Sequence, residues 1–347
     1  MELNPKTEKP RSGNPLKRLM AIRGMGQVVT VGSGLVVLCI VFALINRNFS
    51  SAANITNLLR QIAPILLIGI AQSFVLITGN IDLSIGSLVG MSTMIAATLM
   101  SKGIMGPVGT VILTLICCLI VGVMNGFLVA QCQLPPFIAT LGTMTIARGI
   151  AQIVNNNYNT DSIMKYYPEA AQQFKDFFYY GKTLGIYNGI LIAAVLWIVF
   201  NFILSKTKTG RHIYAVGSNI EAARLSGVNI TLTTIKAYSV SAFCSCVVGF
   251  ITCATVGQGT MDAGNSYELY AVAASVIGGV STLGGQGILL GTVIGAAVWG
   301  VLQNGLQFAG APVALRNIVV GLIVVLSVLI DVVVRKGRKR KKKAYLQ

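Results

Sequence analysis

A single histidine, His212, stands among 347 residues, and aspartate and glutamate together number only ten. His212 lies in a basic stretch and has no cysteine or carboxylate near it at ligand spacing, so metal-assisted or triad hydrolysis lacks its usual parts. Charge of any kind is scarce, at 11% of residues against about 25% in soluble domains. The 54% of apolar residues exceeds what one aqueous core can hide. Helices apolar on every side need lipid as their outer solvent. The chain is therefore read as an all-α membrane protein.

What is present supports that class. The 38 glycines suit membrane helices, which approach closely through small residues. Cys39, Cys117, Cys118, Cys132, Cys244, Cys246 and Cys253 lie in or beside apolar runs and read as small buried hydrophobes. Residues 1–26 are polar, with three prolines and six basic residues, and are expected to be a disordered cytoplasmic tail. Apolar runs of spanning length follow near 27–45, 58–78, 83–101, 108–131, 135–154, 185–204, 233–256, 267–283, 288–308 and 314–334. About ten transmembrane helices are predicted over a 27–334 membrane domain, with a second basic tail at 335–347. Most of the 27 lysines and arginines fall in the two tails and in or beside a middle loop at about 205–232. An even number of spans between these clusters puts all three in the cytoplasm, as the positive-inside rule requires. The net charge of +17 then reflects topology and not a nucleic-acid surface.

The long loop at about 155–184 falls outside in this scheme. Its mixed charge and many aromatics fit an interfacial helix, a docking surface for an external protein, or both. Gly109-Thr110-Val111-Ile112 followed by Gly122 to Gly126 echoes Gly291-Thr292-Val293-Ile294 followed by Gly300 to Gly305. The two stretches sit in oppositely directed spans, so the echo predicts an inverted internal repeat.

Asp82 and Glu268 are carboxylates inside or at the edge of apolar spans, where an ionisable group is costly and marks function by default. Asp82 is flanked by Gly79-Asn80 and Ser84-Ile85-Gly86, a helix break in which it is either an N-terminal cap or a pathway residue. Candidate pathway residues are Asn80, Asp82, Asn125, Phe137, Glu268 and Asn304, although such polar groups also serve as interhelical glue. An ion-coupled secondary transporter or channel would need a richer set of intramembrane acids, so the energy source is expected outside this chain. The entry point is the short stretch Glu221-Ala222-Ala223-Arg224-Leu225-Ser226-Gly227 in the middle loop. Small Ala222 and Ala223 suit insertion into a partner groove, Glu221 suits the helix start, and Gly227 suits its stop. Gly181-Lys182-Thr183 lacks the first glycine of a phosphate loop, so no nucleotide and no other cofactor is expected.

Five stretches carry a family resemblance from about residue 54 to 331: Ile81 to Ser87, Pro136 to Thr143, Gly210-Arg211 through Gly227, Tyr267-Glu268-Leu269, and Gly278-Gly279-Val280-Ser281 through Gly295. Together they resemble the permease subunits of the ribose, xylose and galactoside branch of bacterial ABC importers. The resemblance implies a plasma-membrane permease dimer, an ATP-binding subunit docked around Glu221 to Gly227, and an external sugar-binding protein. Asn80 stands where the family usually has glycine, and Tyr270 where it usually has aspartate.

Overall fold

The computed structural model describes residues 25–316 and scattered positions between 318 and 333; the basic tails expected at 1–26 and 335–347 lie almost wholly outside the described residues. The helices are α1 (Met25–Ile45), α2 (Ala52–Ile77), α3 (Ile85–Ser101), α4 (Pro107–Ala130), α5 (Pro136–Ile153), α6 (Pro168–Lys175), α7 (Asn188–Lys206), α8 (Lys208–Ser218), α9 (Ile220–Leu225), α10 (Ile230–Val256), α11 (Tyr267–Ile277) and α12 (Leu289–Phe308). Strand structure among the described residues is one two-residue hairpin, Lys182–Thr183 with Ile186–Tyr187. Among the described residues six helices, α1, α2, α4, α7, α10 and α12, are long and apolar enough to cross a membrane. The run expected at 314–334 is only partly within the described residues.

Caps and breakers explain the boundaries. Ser51 accepts from the amide of Asn54 to open α2, and Asn229 accepts from that of Leu232 to open α10. Proline at the first turn starts α4, α5 and α6, where its missing N–H costs nothing. The loop between α5 and α7 is pinned by aromatics: Phe174 and Phe178 stack on each other at 4.8 Å and both meet Phe250 of α10.

The first part of the echo, Gly109 to Ile112 with Gly291 to Ile294, corresponds to a pseudo-twofold arrangement, whereas the second, Gly122 to Gly126 with Gly300 to Gly305, is out of step with it by about one helical turn. α2 lies beside α11 and runs parallel to it, with the Ser275 hydroxyl donating to the Gly69 carbonyl at 3.0 Å and the Gly285 amide to Ile77 at 2.8 Å. α3 lies beside α10 in the same sense, with Thr93 donating to the Gly249 carbonyl at 3.1 Å and Ser241 donating to Asp82 at 2.7 Å. α4 packs antiparallel on α10 through Gly122 and Gly126, and α12 packs antiparallel on α2 through Gly300 and Asn304. One constant interval in sequence separates the first residues of α3 and α11, those of α4 and α12, and the echoed Gly109 and Gly291. The halves therefore run in opposite directions around the same packing plan.

Two expectations change. The run at 267–283 is not one span: α11 ends at Ile277, because Gly278-Gly279 opens a glycine turn in which Gly279 takes φ +90°. Its 11 residues reach about 16 Å, half of a hydrocarbon core of about 30 Å. The seven cysteines are free, but they are not uniformly buried, since Cys132 is exposed just past α4 and Cys39 and Cys117 are half-buried.

Candidate functional site

The break between α2 and α3 leaves Asn80 to Ser84 without regular structure, because Thr78-Gly79 ends α2 with Gly79 at φ +84°. Asp82 lies in this segment at 1% exposure. Its Oδ1 accepts from the Ser84 amide at 2.8 Å and the Ser84 hydroxyl at 2.6 Å, and its Oδ2 accepts from the Ser241 hydroxyl. Asn125 donates to Ser84 Oγ at 3.0 Å and accepts from Thr143 at 2.7 Å. The Tyr238 hydroxyl donates to the Ile81 carbonyl at 3.0 Å. One hydrogen-bond chain thus joins the break, α4, α5 and α10. Ser84 holds the N-cap position of α3, and its side chain makes no capping bond, so Asp82 acts by tying the break to α10 and not as the cap itself.

Glu268 opens the other half. The chain leaves α10 at Gly257 and descends as an irregular strap, 257–266, before α11 begins. Its upper part pairs with the segment after α5: Thr160 donates to the Gly259 carbonyl at 2.9 Å, Ile163 to that of Gly257 at 3.0 Å, and the Met261 amide to Asn159 Oδ1 at 2.9 Å. Its lower part lies against α3, where side chains at Gly86 or Gly90 would meet the carbonyls of Gly264 and Ala263. Arg148 of α5 donates to the Ala263 carbonyl at 2.8 Å and reaches Met261 at 3.4 Å. Glu268, half-buried, touches the Gly86 position, so the first turns of α3 and α11 face each other and their positive dipole ends converge. Glu268 lies in the first turn of α11 and Asp82 just before α3, so each carboxyl group sits at one of these helix starts.

The other candidates are not part of this assembly. Asn304 pairs with Asn54 at 2.9 Å and lies near Gln61, on the far side of α2. Phe137 is 56% exposed on the outer face of α5. Asn80 donates to Thr78 within its own turn at 2.8 Å.

The middle loop folds as α8 and α9. Asn219 accepts from the Ala222 amide to start α9, and Gly227 at φ +78° ends it. Glu221, Ala222 and Gly227 are exposed, whereas Ala223 is buried at 4% exposure, so it packs into its own chain and cannot face a partner. Leu225 projects at 89% exposure. α8 in turn locks onto the glycine turn after α11, with Tyr214 donating to the Gly287 carbonyl at 2.7 Å and Gly217 seated on Ile77 and Gly285. Burial pushes the Tyr214 phenol up to about 12, so it remains a proton donor at any physiological pH.

The sequence reading missed Arg148, Ser241, Thr143 and Leu225. Arg148 had a signal, being the one charge in the 135–154 run. The hydroxyls had none, because serine and threonine also serve widely as membrane-helix glue.

Comparison with known proteins agrees with this architecture. The ribose import permease protein of Bacillus subtilis (strain 168) is 35% identical over 298 residues, covering 86% of this chain and 90% of that protein. The xylose transport system permease protein of Haemophilus influenzae is 36% identical, covering 82% of this chain and 90% of its own length. The fructose import permease protein of Rhizobium meliloti is 33% identical, with 84% and 81% covered. No solved structure matches the chain. Residues 54–328, from the start of α2 onward, match the family described as branched-chain amino acid transport system / permease component, and the chain belongs to that family of membrane-spanning permeases.

Proposed function

We infer that this chain is the membrane-spanning subunit of an ATP-driven importer for a monosaccharide such as ribose, xylose or galactose, set in a bacterial plasma membrane with both termini cytoplasmic. The observation that carries the reading is the similarity to sugar import permeases over more than four-fifths of both chains. Two copies of the chain form the path, an external binding protein delivers sugar to the loop at 155–184, and a separate ATP-binding subunit supplies energy at α9. The exposed Leu225 beside Ala222 and Glu221 supports that last contact, since an apolar side chain held out from a polar loop suits a partner groove. The test is uptake of labelled monosaccharides in cells depleted of ATP or treated with a protonophore. ATP depletion should stop uptake while short protonophore treatment spares it. The reverse result overturns the reading in favour of ion coupling.

Replacing Leu225 with aspartate should lower co-purification of the ATP-binding subunit by about tenfold or more, the effect of losing one buried leucine anchor. Ala222→Arg should act in the same direction by steric exclusion. Glu221→Gln should change little, because the exposed Glu221–Arg224 pair at 3.1 Å is worth at most about 1 kcal/mol. Full co-purification with Leu225→Asp would remove α9 from the interface.

A further inference from the structure

The strap 257–266 reaches far along α3. Gly259 lies against Ala97 and Met94, Ala263 against Gly90, and Gly264 against Gly86. From Ala97 to Gly86 the descent is about 16 Å at the helical rise, more than half the hydrocarbon thickness. Irregular backbone at such depth persists only where it is buried in protein or lines water. The strap has one face of each kind. Ala263 and Gly264 are buried against α3, whereas Asp262, Asn265 and Ser266 are exposed and Glu268 is half-exposed. A carboxylate turned to lipid at the centre of the bilayer costs roughly 2.5–3.5 kcal/mol. Polar groups concentrated on one face of a deep strap therefore mark a wetted surface.

Arg148 completes that surface. Its guanidinium lies within electrostatic reach of Glu268 and Asp262, yet the ion pairs among the described residues are Lys165–Asp161 and Arg224–Glu221 alone. The cation is held by strap carbonyls and makes no ion pair with either carboxylate, while Asn265 donates to Asp262 at 3.3 Å, so polar groups follow one another along the exposed side of the strap.

We propose that Asp262, Asn265, Ser266, Glu268 and Arg148 line the solute path and form a transient site for a neutral polyhydroxylated solute, a monosaccharide. Spaced acceptors and a fixed guanidinium donor match the alternating hydroxyls of a sugar, and a solute without charge suffers no net attraction that would trap it. The site rests on the importer reading above. It differs from the Asp82 assembly, which is closed on all sides and holds the fold.

The experiment introduces Asn265→Cys or Ser266→Cys into a chain whose exposed Cys132 is replaced by serine. A small membrane-impermeant thiosulfonate is applied to whole cells and to inside-out vesicles. Ile138→Cys and Ile146→Cys, on the exposed outer face of α5, serve as lipid-facing controls. Both strap cysteines should be modified much faster than the controls, and a third cysteine in the strap but outside the proposed site, Met261→Cys, should lose its uptake on modification. Modification no faster than in the controls, or full uptake after complete modification, overturns the site. ATP dependence is measured in the same untreated cells. Strap labelling that blocks ATP-independent uptake supports the groove while removing the energy source inferred above.

Discussion

Gly217→Val is expected to abolish sugar uptake. Gly217 lies in the last turn of α8, where even one added carbon would overlap the Ile77 carbonyl and the Gly285 backbone, main chain from two other elements. A flexible side chain could swing away from such a clash, but backbone cannot. Overpacking of this kind costs about 1–3 kcal/mol, or more where nothing can yield. The site also joins α8, the ends of α2 and the glycine turn that follows α11 into one contact. Separation of these parts should disconnect α9 from the half-helix carrying Glu268. The measurement is uptake alongside membrane abundance and ATP hydrolysis by the purified complex. Gly217→Val that transports at the normal rate would show that the contact carries neither fold nor motion. Tyr214→Phe, which removes only the 2.7 Å bond to Gly287, should cost about 0.5–1.5 kcal/mol and leave abundance near normal.

Asp82→Ala is expected to strip most of the protein from the membrane, while Asp82→Asn should retain much of it. Alanine leaves the Ser84 amide, the Ser84 hydroxyl and the Ser241 hydroxyl without an acceptor in a fully enclosed place. Each stranded donor costs about 1–3 kcal/mol, and their sum is comparable with the whole stability of a domain, about 5–15 kcal/mol. Asparagine keeps one acceptor oxygen for Ser84, and its amide can donate to the Ser241 hydroxyl once that hydroxyl turns. The order of abundance and thermal stability should therefore be aspartate, asparagine, alanine. Equal stability for alanine and aspartate would show that the assembly is not structural. Loss of uptake in Asp82→Asn with undiminished stability would instead point to a role for the charge itself.

The apolar spans were legible because lipid permits little else: runs near 108–131, 233–256 and 288–308 match α4, α10 and α12 within a few residues. The repeat was legible in Gly109-Thr110-Val111-Ile112 and its echo at Gly291, since Thr110 and Thr292 are fully buried at matching places near the starts of α4 and α12. Half-span α11 was not, because an apolar run shows where lipid-compatible residues lie but not where a glycine turn ends hydrogen bonding. The partner of Asp82 was also hidden, as Ser241 is distant in sequence and looks like any other hydroxyl in an apolar helix. Arg148 was legible by its charge, but its carbonyl partners Met261 and Ala263 were not, being more than a hundred residues away in sequence. The inward face of Ala223 could not be read from a six-residue helix whose small residues carry no amphipathic signal.

The meeting of α3 and α11 at their first turns bears on the stroke such a path would require. Two ordinary helices would make a solute cross the whole hydrophobic thickness in a dry passage that must open along its length. Here the tight contact is confined to about one turn around Gly86 and Glu268, while a polar strap occupies much of the distance on one side. On the path proposed above, a small tilt at that waist would exchange one opening for the other, because the two halves are built upside down relative to each other, and the long helices α2 and α10 would be its levers.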